Sequence, residues 1–155
     1  MKELILLLGS NLGAREEYLS SAREMISCSL CNILASSSVY KSEAFGYQSD
    51  NGYLNQVVVG LCDVEAELVL KKIHEIEDVL GRVRKAGVRF SDRTIDIDIL
   101  YYGDMILNSP ELTIPHPQID KRLFVLEPLS ELFPYKKDPR TGKKIQEMVN
   151  SLRKC

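Results

Sequence analysis

Two aspartates spaced two residues apart are the strongest chemical signal in this sequence. Within the stretch from position 93 to position 102, Asp96 and Asp98 alternate with Ile95, Ile97 and Ile99. This alternation predicts a strand with one buried face, so both carboxylates should lie on the other face, with Cα atoms roughly 6.5–7 Å apart. Because carboxylate oxygens suit Mg²⁺, which also accepts water and phosphate oxygens, the pair predicts a metal site. The alternative is the solvated face of an amphipathic strand.

A basic segment leads directly into this strand. Between positions 82 and 93 a single acid, Asp92, stands among these cations: Arg82, Arg84, Lys85, Arg89 and Arg93. The planar fork of an arginine can hold a phosphate through two hydrogen bonds. Arginines followed by paired carboxylates therefore indicate phosphoryl-type transfer, although a solvated basic loop is the simpler interpretation.

A second long connection, over positions 41–52, is a candidate for binding the acceptor. It is too long for a tight hairpin, and connections of this length are often functional. It contains Phe45 and is followed by Tyr53 and Asn55. Two aromatic faces and an amide suit a flat heteroaromatic molecule that is stacked between rings and hydrogen-bonded at its edge.

The hydrophobic pattern predicts the elements that must position these groups. In chain order they are a strand over 4–8 that ends in a turn at 9–13, a helix from about 15, strands over 33–40 and 53–61, a helix over 65–80, and the aspartate strand. This is the βαββαβ order of a ferredoxin-like core. We therefore expect an α+β fold, an antiparallel sheet with two helices on one face. A C-terminal extension should add short helices around 120–132, interrupted at Pro128, and around 145–152, with an exposed basic turn over 136–144.

Length and composition set limits on the whole chain. Its 155 residues, of which 45% are hydrophobic, fit a single domain over 1–155. The net charge of −2 gives no general attraction to nucleic acid or anionic membranes. No apolar run approaches the roughly 20 residues of a membrane helix, and the N-terminal end is not a signal peptide, so we expect a cytoplasmic protein.

The cysteines predict structural thiols. Cys28 and Cys31 form one close pair near the end of a predicted helix, whereas Cys62 and Cys155 are isolated. A structural zinc site usually needs a second close pair, so reduced thiols are the favoured interpretation.

Five motifs give the chain a resemblance to a known enzyme family. They are GSNLG at 9–13, YLN at 53–55, GRVR at 81–84, RTIDIDIL at 93–100 and PHP at 115–117. On these motifs the chain resembles the 6-hydroxymethyl-7,8-dihydropterin pyrophosphokinases, folate-pathway enzymes that move a pyrophosphoryl group from ATP to the hydroxymethyl group of a reduced pterin. The RTIDID segment is highly specific, whereas the GSN turn alone is a weak signal.

The resemblance implies a role for each matching position. Two Mg²⁺ ions would bridge Asp96, Asp98 and the α- and β-phosphates of ATP, and Arg82 and Arg93 would stabilise charge on the transferring group. The pterin-binding positions correspond to Ser42, Phe45, Tyr53, Asn55, Asp96 and Phe124. The ATP-binding positions correspond to Glu77, Arg84, Phe90, Arg93, Ile99, Thr113, His116 and Arg122. The hydroxymethyl oxygen would attack the β-phosphorus, and AMP would leave.

Some of these positions are ambiguous when judged from the residues alone. Glu77 lies on or beside the buried stripe of its helix and is either a functional acid or a boundary residue; His74 is a further candidate near ATP. A histidine between two prolines, such as His116, is more often structural. Many relatives have Trp and Pro where this chain has Phe90 and Asp92. We expect Phe90 still to seal the nucleotide site as an aromatic lid, whereas Asp92 should weaken the hold of Arg93 on phosphate.

Two other functions remain open at this point. One is a metal-dependent phosphotransferase or phosphohydrolase with a different substrate. The other is an RNA-binding ferredoxin-like module, but the Lys/Arg-Gly-Phe/Tyr pattern is missing, and Asp96 and Asp98 would repel phosphate without a metal. We therefore expect a monomer that binds ATP and a pterin, and neither nucleic acid nor membrane.

Overall fold

The computed structural model describes residues 1–42, 52–81 and 94–154. Their elements are β1 (Lys2–Ser10), α1 (Arg15–Ser29), β2 (Ile33–Ser36), β3 (Tyr40–Ser42), β4 (Tyr53–Cys62), α2 (Ala66–Val79), β5 (Asp96–Tyr102), β6 (Leu107–Asn108), β7 (Thr113–Ile114), α3 (Leu123–Leu132) and α4 (Ile145–Arg153), with a 3₁₀ turn at Ile119–Lys121 before α3. Each helix in these ranges is too short or too polar to cross a membrane.

The central sheet has the strand order β2-β4-β1-β5, and β3 pairs with β4 beside β2. All of these pairings are antiparallel, which confirms the predicted α+β fold with a βαββαβ core. The predicted strand over 33–40 is wrong in detail because it is divided into β2 and β3. Ser38 lies between the two strands, and its backbone N–H donates to the Glu131 carboxylate of α3 at 2.9 Å. The hydroxyl of Tyr40, the first residue of β3, donates to the same carboxylate at 2.6 Å.

One face of the sheet is covered by α1 and α2. Alternate residues of the long strands point to this α1–α2 face, as the periodicity predicts: Leu4, Leu6 and Leu8 of β1, Leu54 and Val58 of β4, and Ile97 and Ile99 of β5. They pack against Leu19 and Ile26 of α1 and against Val69, Ile73 and Ile76 of α2. The polar exception on β4 is buried Gln56, which accepts a hydrogen bond from Arg23 of α1 at 2.6 Å.

The opposite face, here called the α3–α4 face, is covered by the C-terminal extension. Its core consists of Ile5, Leu7, Val57, Val59, Leu100 and Tyr101 from the sheet, packed against Val125, Leu126 and Leu129 of α3 and Ile145, Met148 and Val149 of α4. The pairing register of β1 and β5 shifts between Ile5 and Leu6, so Leu100 and Tyr101 both enter this core. The extension therefore supplies a second core.

Two boundaries differ from the prediction. β1 continues through Gly9 and Ser10, which the sequence assigned to a turn, because both pair with β4. Helix α3 continues through Pro128, which was predicted to interrupt it. This proline is buried in the α3–α4 core, and tertiary packing outweighs the missing N–H at that position.

Candidate active site

A row of three residues across the sheet joins the two regions that the sequence singled out. Gly9 of β1 lies opposite Asn55 of β4 on one side and opposite Asp96 of β5 on the other. Directly opposed residues in antiparallel strands share a face, so the Asn55 and Asp96 side chains flank a position that has none. Tyr53 and Asp98, two residues along their strands, share that face. All four side chains belong to the α3–α4 face, and Asp98 lies opposite Leu7, the last apolar residue of β1 on that face.

Gly9 gives this row a flat floor. A Cβ atom at this position would lie 3.4 Å from Oδ1 of Asn55 and 3.5 Å from Cδ1 of Tyr53. Any larger side chain would therefore occupy the space in front of both residues. The sequence analysis did not identify Gly9 as a site residue, although a glycine within a strand often marks a close approach by a ligand.

Four of the residues predicted to bind pterin share this face, namely Ser42, Tyr53, Asn55 and Asp96, and Phe124 lies on the helix that packs against it. Asn55 is only 2% exposed, and its Nδ2 donates to Oγ of Ser42 at 2.7 Å. Ser42 lies opposite Tyr53 in the register of β3 and β4. Phe124 lies in the first turn of α3, on the helix that packs against the same face, and its ring centroid is 5.6 Å from the Arg122 guanidinium carbon. Phe45 lies outside the described residues.

An open cavity of about 340 Å³ adjoins the two aspartates. It lies between α2, the outer edge of β5 and the segment that precedes α3. Its lining contains the two aspartates and most of the described residues predicted to contact ATP: His74, Glu77, Asp96, Asp98, Ile99, Thr113 and His116. Arg122 does not line the cavity but influences the charge of His116. Arg82, Arg84, Phe90, Asp92 and Arg93 lie outside the described residues.

Glu77 is a buried acid at the edge of the sheet. It is 1% exposed, and its Oε2 accepts the backbone N–H of Ile97 at 2.9 Å. Among the described strands β5 lies at the edge of the sheet, and the carboxylate of α2 accepts this N–H in the place of a neighbouring strand. Of the two interpretations open from the sequence, the structure excludes a boundary residue that reaches for solvent. A contact between Glu77 and ATP remains a prediction.

His116 is held as a neutral hydrogen-bond donor. Its backbone N–H donates to the Leu100 carbonyl at 3.1 Å, and its Nδ1 accepts the Gln118 N–H at 3.1 Å. The ring proton is therefore on Nε2. Burial lowers the pKa of His116 to about 4, and the positive charges of Arg122 and Arg140 act in the same direction, whereas Asp96 partly opposes them. The imidazole is neutral at pH 7.

The aspartate pair fits Mg²⁺ better than a metal that needs many protein ligands. Both carboxylates are half-buried and share one face of β5. Within residues 1–42, 52–81 and 94–154, no group of three His, Cys, Asp or Glu side chains is placed to hold a metal. A structural zinc site uses four side-chain ligands, whereas Mg²⁺ binds through one or two carboxylates and takes its remaining ligands from water and phosphate.

The basic turn over 136–144, predicted to be exposed, is exposed at most of its positions, with one buried exception. Asp138 is 1% exposed, and its Oδ2 accepts the hydroxyl of Tyr101 at 2.7 Å. Arg140 Nη2 donates to the His116 carbonyl at 3.2 Å, so this turn reaches the candidate site. The Asp-Pro-Arg-Thr-Gly sequence indicates a turn, but nothing in it indicates which residue the turn contacts.

The described cysteines are free thiols, with Cys28 exposed, Cys31 half-buried and Cys62 buried. Cys28 lies at the end of α1, as predicted. Burial, and to a smaller extent Cys62, raises the pKa of Cys31 to about 11. This thiol therefore stays protonated at neutral pH and is a poor nucleophile and metal ligand.

Comparison with known proteins gives the site a context. The family model described as 7,8-dihydro-6-hydroxymethylpterin-pyrophosphokinase (HPPK) matches residues 5–134. This chain belongs to that family. The membership confirms the predicted resemblance, and it makes the chain a pyrophosphokinase of folate biosynthesis.

Individual relatives agree with the family model. A Porphyromonas gingivalis protein named 2-amino-4-hydroxy-6-hydroxymethyldihydropteridine pyrophosphokinase is 40% identical over 137 residues, which cover 87% of this chain and 93% of that protein. A Bacillus subtilis protein of the same name is 36% identical over 126 residues, covering 81% of this chain and 74% of the relative.

Solved structures confirm the fold. The wild-type HPPK-DHPS of Plasmodium falciparum superposes with a TM-score of 0.78 over 97% of this chain, at 15% sequence identity. The chain spans 44% of that longer protein. At this identity the likeness is evidence for the fold alone.

Proposed function

We propose that this chain transfers a pyrophosphoryl group from ATP to the hydroxymethyl group of 6-hydroxymethyl-7,8-dihydropterin and releases AMP. The observation that carries the proposal is the row of Asn55, Gly9 and Asp96. It supports an acceptor pocket and a phosphate site on one face of the sheet, carried by the two strands that flank β1. A transfer between two bound substrates needs this adjacency, because the attacking and leaving groups must be in line.

The pterin would lie over Gly9. The ring of Tyr53, with Phe124 from α3 and, by family resemblance, Phe45, would supply aromatic faces, while Ser42 and Asn55 would supply hydrogen-bonding groups at the ring edge. Their mutual hydrogen bond of 2.7 Å orients both polar groups before the substrate arrives. A preorganised amide and hydroxyl reduce the entropic cost of binding.

The nucleotide would occupy the cavity beside β5. Asp96 and Asp98 would hold Mg²⁺, two ions by family resemblance, and Asp96 would also border the pterin. The bound metal would neutralise phosphate charge and orient the phosphates. Further contacts with ATP would come from Glu77, Arg84, Phe90, Arg93, Ile99, Thr113, His116 and Arg122. Of these, neutral His116 would contribute its Nε2–H as a donor.

The protein's part in the chemistry is positioning and charge stabilisation. The hydroxymethyl oxygen forms a bond to the β-phosphorus, the bond between that phosphorus and the α–β bridging oxygen breaks, and AMP leaves with the bridging oxygen. The hydroxyl proton is released. Arg82 and Arg93 would stabilise the negative charge that develops on the transferring group.

We also propose that residues 1–155 form one domain, which acts as a cytoplasmic monomer on small molecules and binds neither nucleic acid nor membrane. β1, β4 and β5 contribute to both hydrophobic cores, which supports a single domain. Free thiols on the described cysteines suit a reducing compartment. A monomer is the simplest arrangement because every proposed site residue comes from this one chain.

Product analysis tests the reaction directly. The protein is mixed with ATP, Mg²⁺ and 6-hydroxymethyl-7,8-dihydropterin, and nucleotides and pterins are separated by chromatography. We expect AMP and a pyrophosphorylated pterin in equal amounts, with no AMP when either the pterin or Mg²⁺ is omitted. ADP as the product, or AMP that forms without pterin, would contradict the proposal and favour another phosphotransferase or a phosphohydrolase.

A further inference from the structure

A buried carboxylate organises the turn that follows α3. Oδ2 of Asp138 accepts the hydroxyl of Tyr101 at 2.7 Å, and its Oδ1 accepts the backbone N–H of Arg140 at 2.8 Å. Nε of Arg140 lies 3.7 Å from the same Oδ1. The backbone carbonyl of Asp138 accepts the N–H of Gly142 at 2.8 Å, which closes the turn. A surface arginine is thus attached to a carboxylate that is 1% exposed, and through it to β5.

The same arginine holds the backbone of His116. Its Nη2 donates to the His116 carbonyl at 3.2 Å, and the other donor to this carbonyl is the N–H of Ile119, at a longer 3.4 Å. On the other side of the residue, the His116 N–H donates to Leu100. His116 is therefore held at both of its peptide groups, once by β5 and once by Arg140.

The two backbone attachments of His116 also determine the tautomer and the orientation of its imidazole ring. Nδ1 accepts from the Gln118 N–H only while the turn over 116–118 keeps its geometry, and the His116 carbonyl lies inside that turn. With Nδ1 occupied, Nε2–H is the one donor that the ring can offer to the cavity that it lines. Movement of the turn would change both the tautomer and the direction of that donor.

We infer that Arg140, held in place by Asp138 and Tyr101, is a positioning residue that orients His116 toward the nucleotide. The inference rests on the proposed function, in which ATP occupies the cavity beside β5. Arg140 is not one of the described residues that line the cavity. Its effect on ATP binding would therefore be indirect, through His116.

Steady-state kinetics of Arg140→Met test this role. Methionine lacks the donors of arginine, and we expect KM for ATP to rise about three- to tenfold, as expected when one neutral hydrogen bond from the His116 ring to the nucleotide is weakened or lost. KM for the pterin should stay within about twofold. The matched control is Arg153→Met, which removes an arginine of α4 that pairs with Glu127 at 3.1 Å and should leave both constants unchanged. Equal changes in both KM values, or no change in either, would overturn the inference.

A double-mutant cycle separates an effect through His116 from a direct one. In the His116→Gln background, adding Arg140→Met should raise KM for ATP by less than about twofold, because the imidazole that it positions is gone. If Arg140→Met has the same effect in both backgrounds, Arg140 does not act through His116.

Nitrogen NMR of the imidazoles provides a readout that does not need activity. The chain has only two histidines, so His116 can be followed with His74 as an internal reference. We expect the wild-type His116 ring to show a proton on Nε2 alone, and Arg140→Met to shift its nitrogen signals while those of His74 stay in place. Unchanged His116 signals in a folded variant would overturn the positioning role. If the wild-type protein yields no AMP, the proposed function fails even where the NMR result stands.

Discussion

The two faces of the sheet use the same three strands for different purposes. On the α1–α2 face, apolar side chains extend from Leu4 through Leu8 of β1 and meet helices over the full length. On the α3–α4 face the apolar series ends at Leu7, and the next position along β1 on that face is Gly9. Across the strand pairs, Asp98 lies opposite Leu7, while Asp96 and Asn55 lie opposite Gly9. One face is mostly apolar core, whereas the other is a core for part of its length and a candidate site for the rest.

The comparison shows how a small domain combines stability with a binding surface. The largely apolar α1–α2 face stabilises the sheet without contributions from the polar end of the other face. Helix α3 packs on the α3–α4 face: Leu126 and Leu129 lie in its core, and half-buried Phe124, in the first turn of the helix, packs against that core. At its far end Glu131 holds the link between β2 and β3, and so the strand that carries Ser42.

Removing one carboxylate of the aspartate pair should have the largest effect on activity. This effect should be confined to the polar end of the α3–α4 face and should leave stability almost unchanged. We expect Asp98→Asn to lower kcat/KM at least about a thousandfold, because it removes a proposed metal ligand. The melting temperature should change by no more than a few degrees. The control is Asp104→Asn, an exposed acid just after the same strand, which should keep wild-type activity. Near-normal turnover by Asp98→Asn would contradict the metal assignment.

A cavity in the core of the α1–α2 face should lower stability and leave the kinetics of the folded enzyme unchanged. Leu19 of α1 is 1% exposed, and Leu19→Ala should lower the free energy of unfolding by about 2–5 kcal/mol. Under conditions where the variant is folded, both KM values should match the wild type. Leu68→Ala, at a 41% exposed position on α2, should cost less than about 1 kcal/mol. Urea unfolding and kinetics on the same samples check both expectations, and a raised KM in Leu19→Ala would show that the two faces are not independent.

A fall in pH should lower the free energy of unfolding, because His116 gains a proton more readily in the unfolded chain than in the folded one. Its folded pKa of about 4 lies below the ordinary value of 6.5, so both states are neutral above pH 7, and only the unfolded chain gains the proton between about pH 6.5 and 4. Stability therefore falls as the pH drops through this window and levels off below it. The loss should reach about 3 kcal/mol, and it should be missing from His116→Gln. Urea unfolding of both proteins at pH 7.5 and 4.5 measures it; an NMR titration with His116 protonating near pH 6.5 would rule it out.

Filling the floor between the two halves of the site should give the smallest effect. In Gly9→Val the γ-methyl groups would enter the space in front of Asn55 and Tyr53, and KM for the pterin should rise about tenfold while KM for ATP changes less. Gly9→Ala is the graded control, since its Cβ makes ordinary contacts at 3.4 and 3.5 Å and should be tolerated. Equal pterin KM values for the valine and alanine variants would mean that the pterin does not lie over Gly9.

The sequence by itself determined the features that depend on local periodicity and residue chemistry. Alternation around Asp96 and Asp98 predicts their shared face, and spacing along the chain predicts both core helices and the βαββαβ order. These features are readable because each is encoded within a few neighbouring residues. The predicted roles of Phe45, Arg82, Arg93 and the other loop residues depend on the family resemblance and stay predictions.

Only the tertiary structure decided which distant residues meet. The register of β1 with its two neighbours puts Gly9 between Asn55 and Asp96, and the pairing of residues far apart in the chain leaves no local pattern. In the same way, the bond from Glu77 to β5 and the contact between Arg140 and His116 join elements that the sequence keeps apart. Residue types determine what chemistry is available to this protein, whereas long-range packing determines where that chemistry comes together.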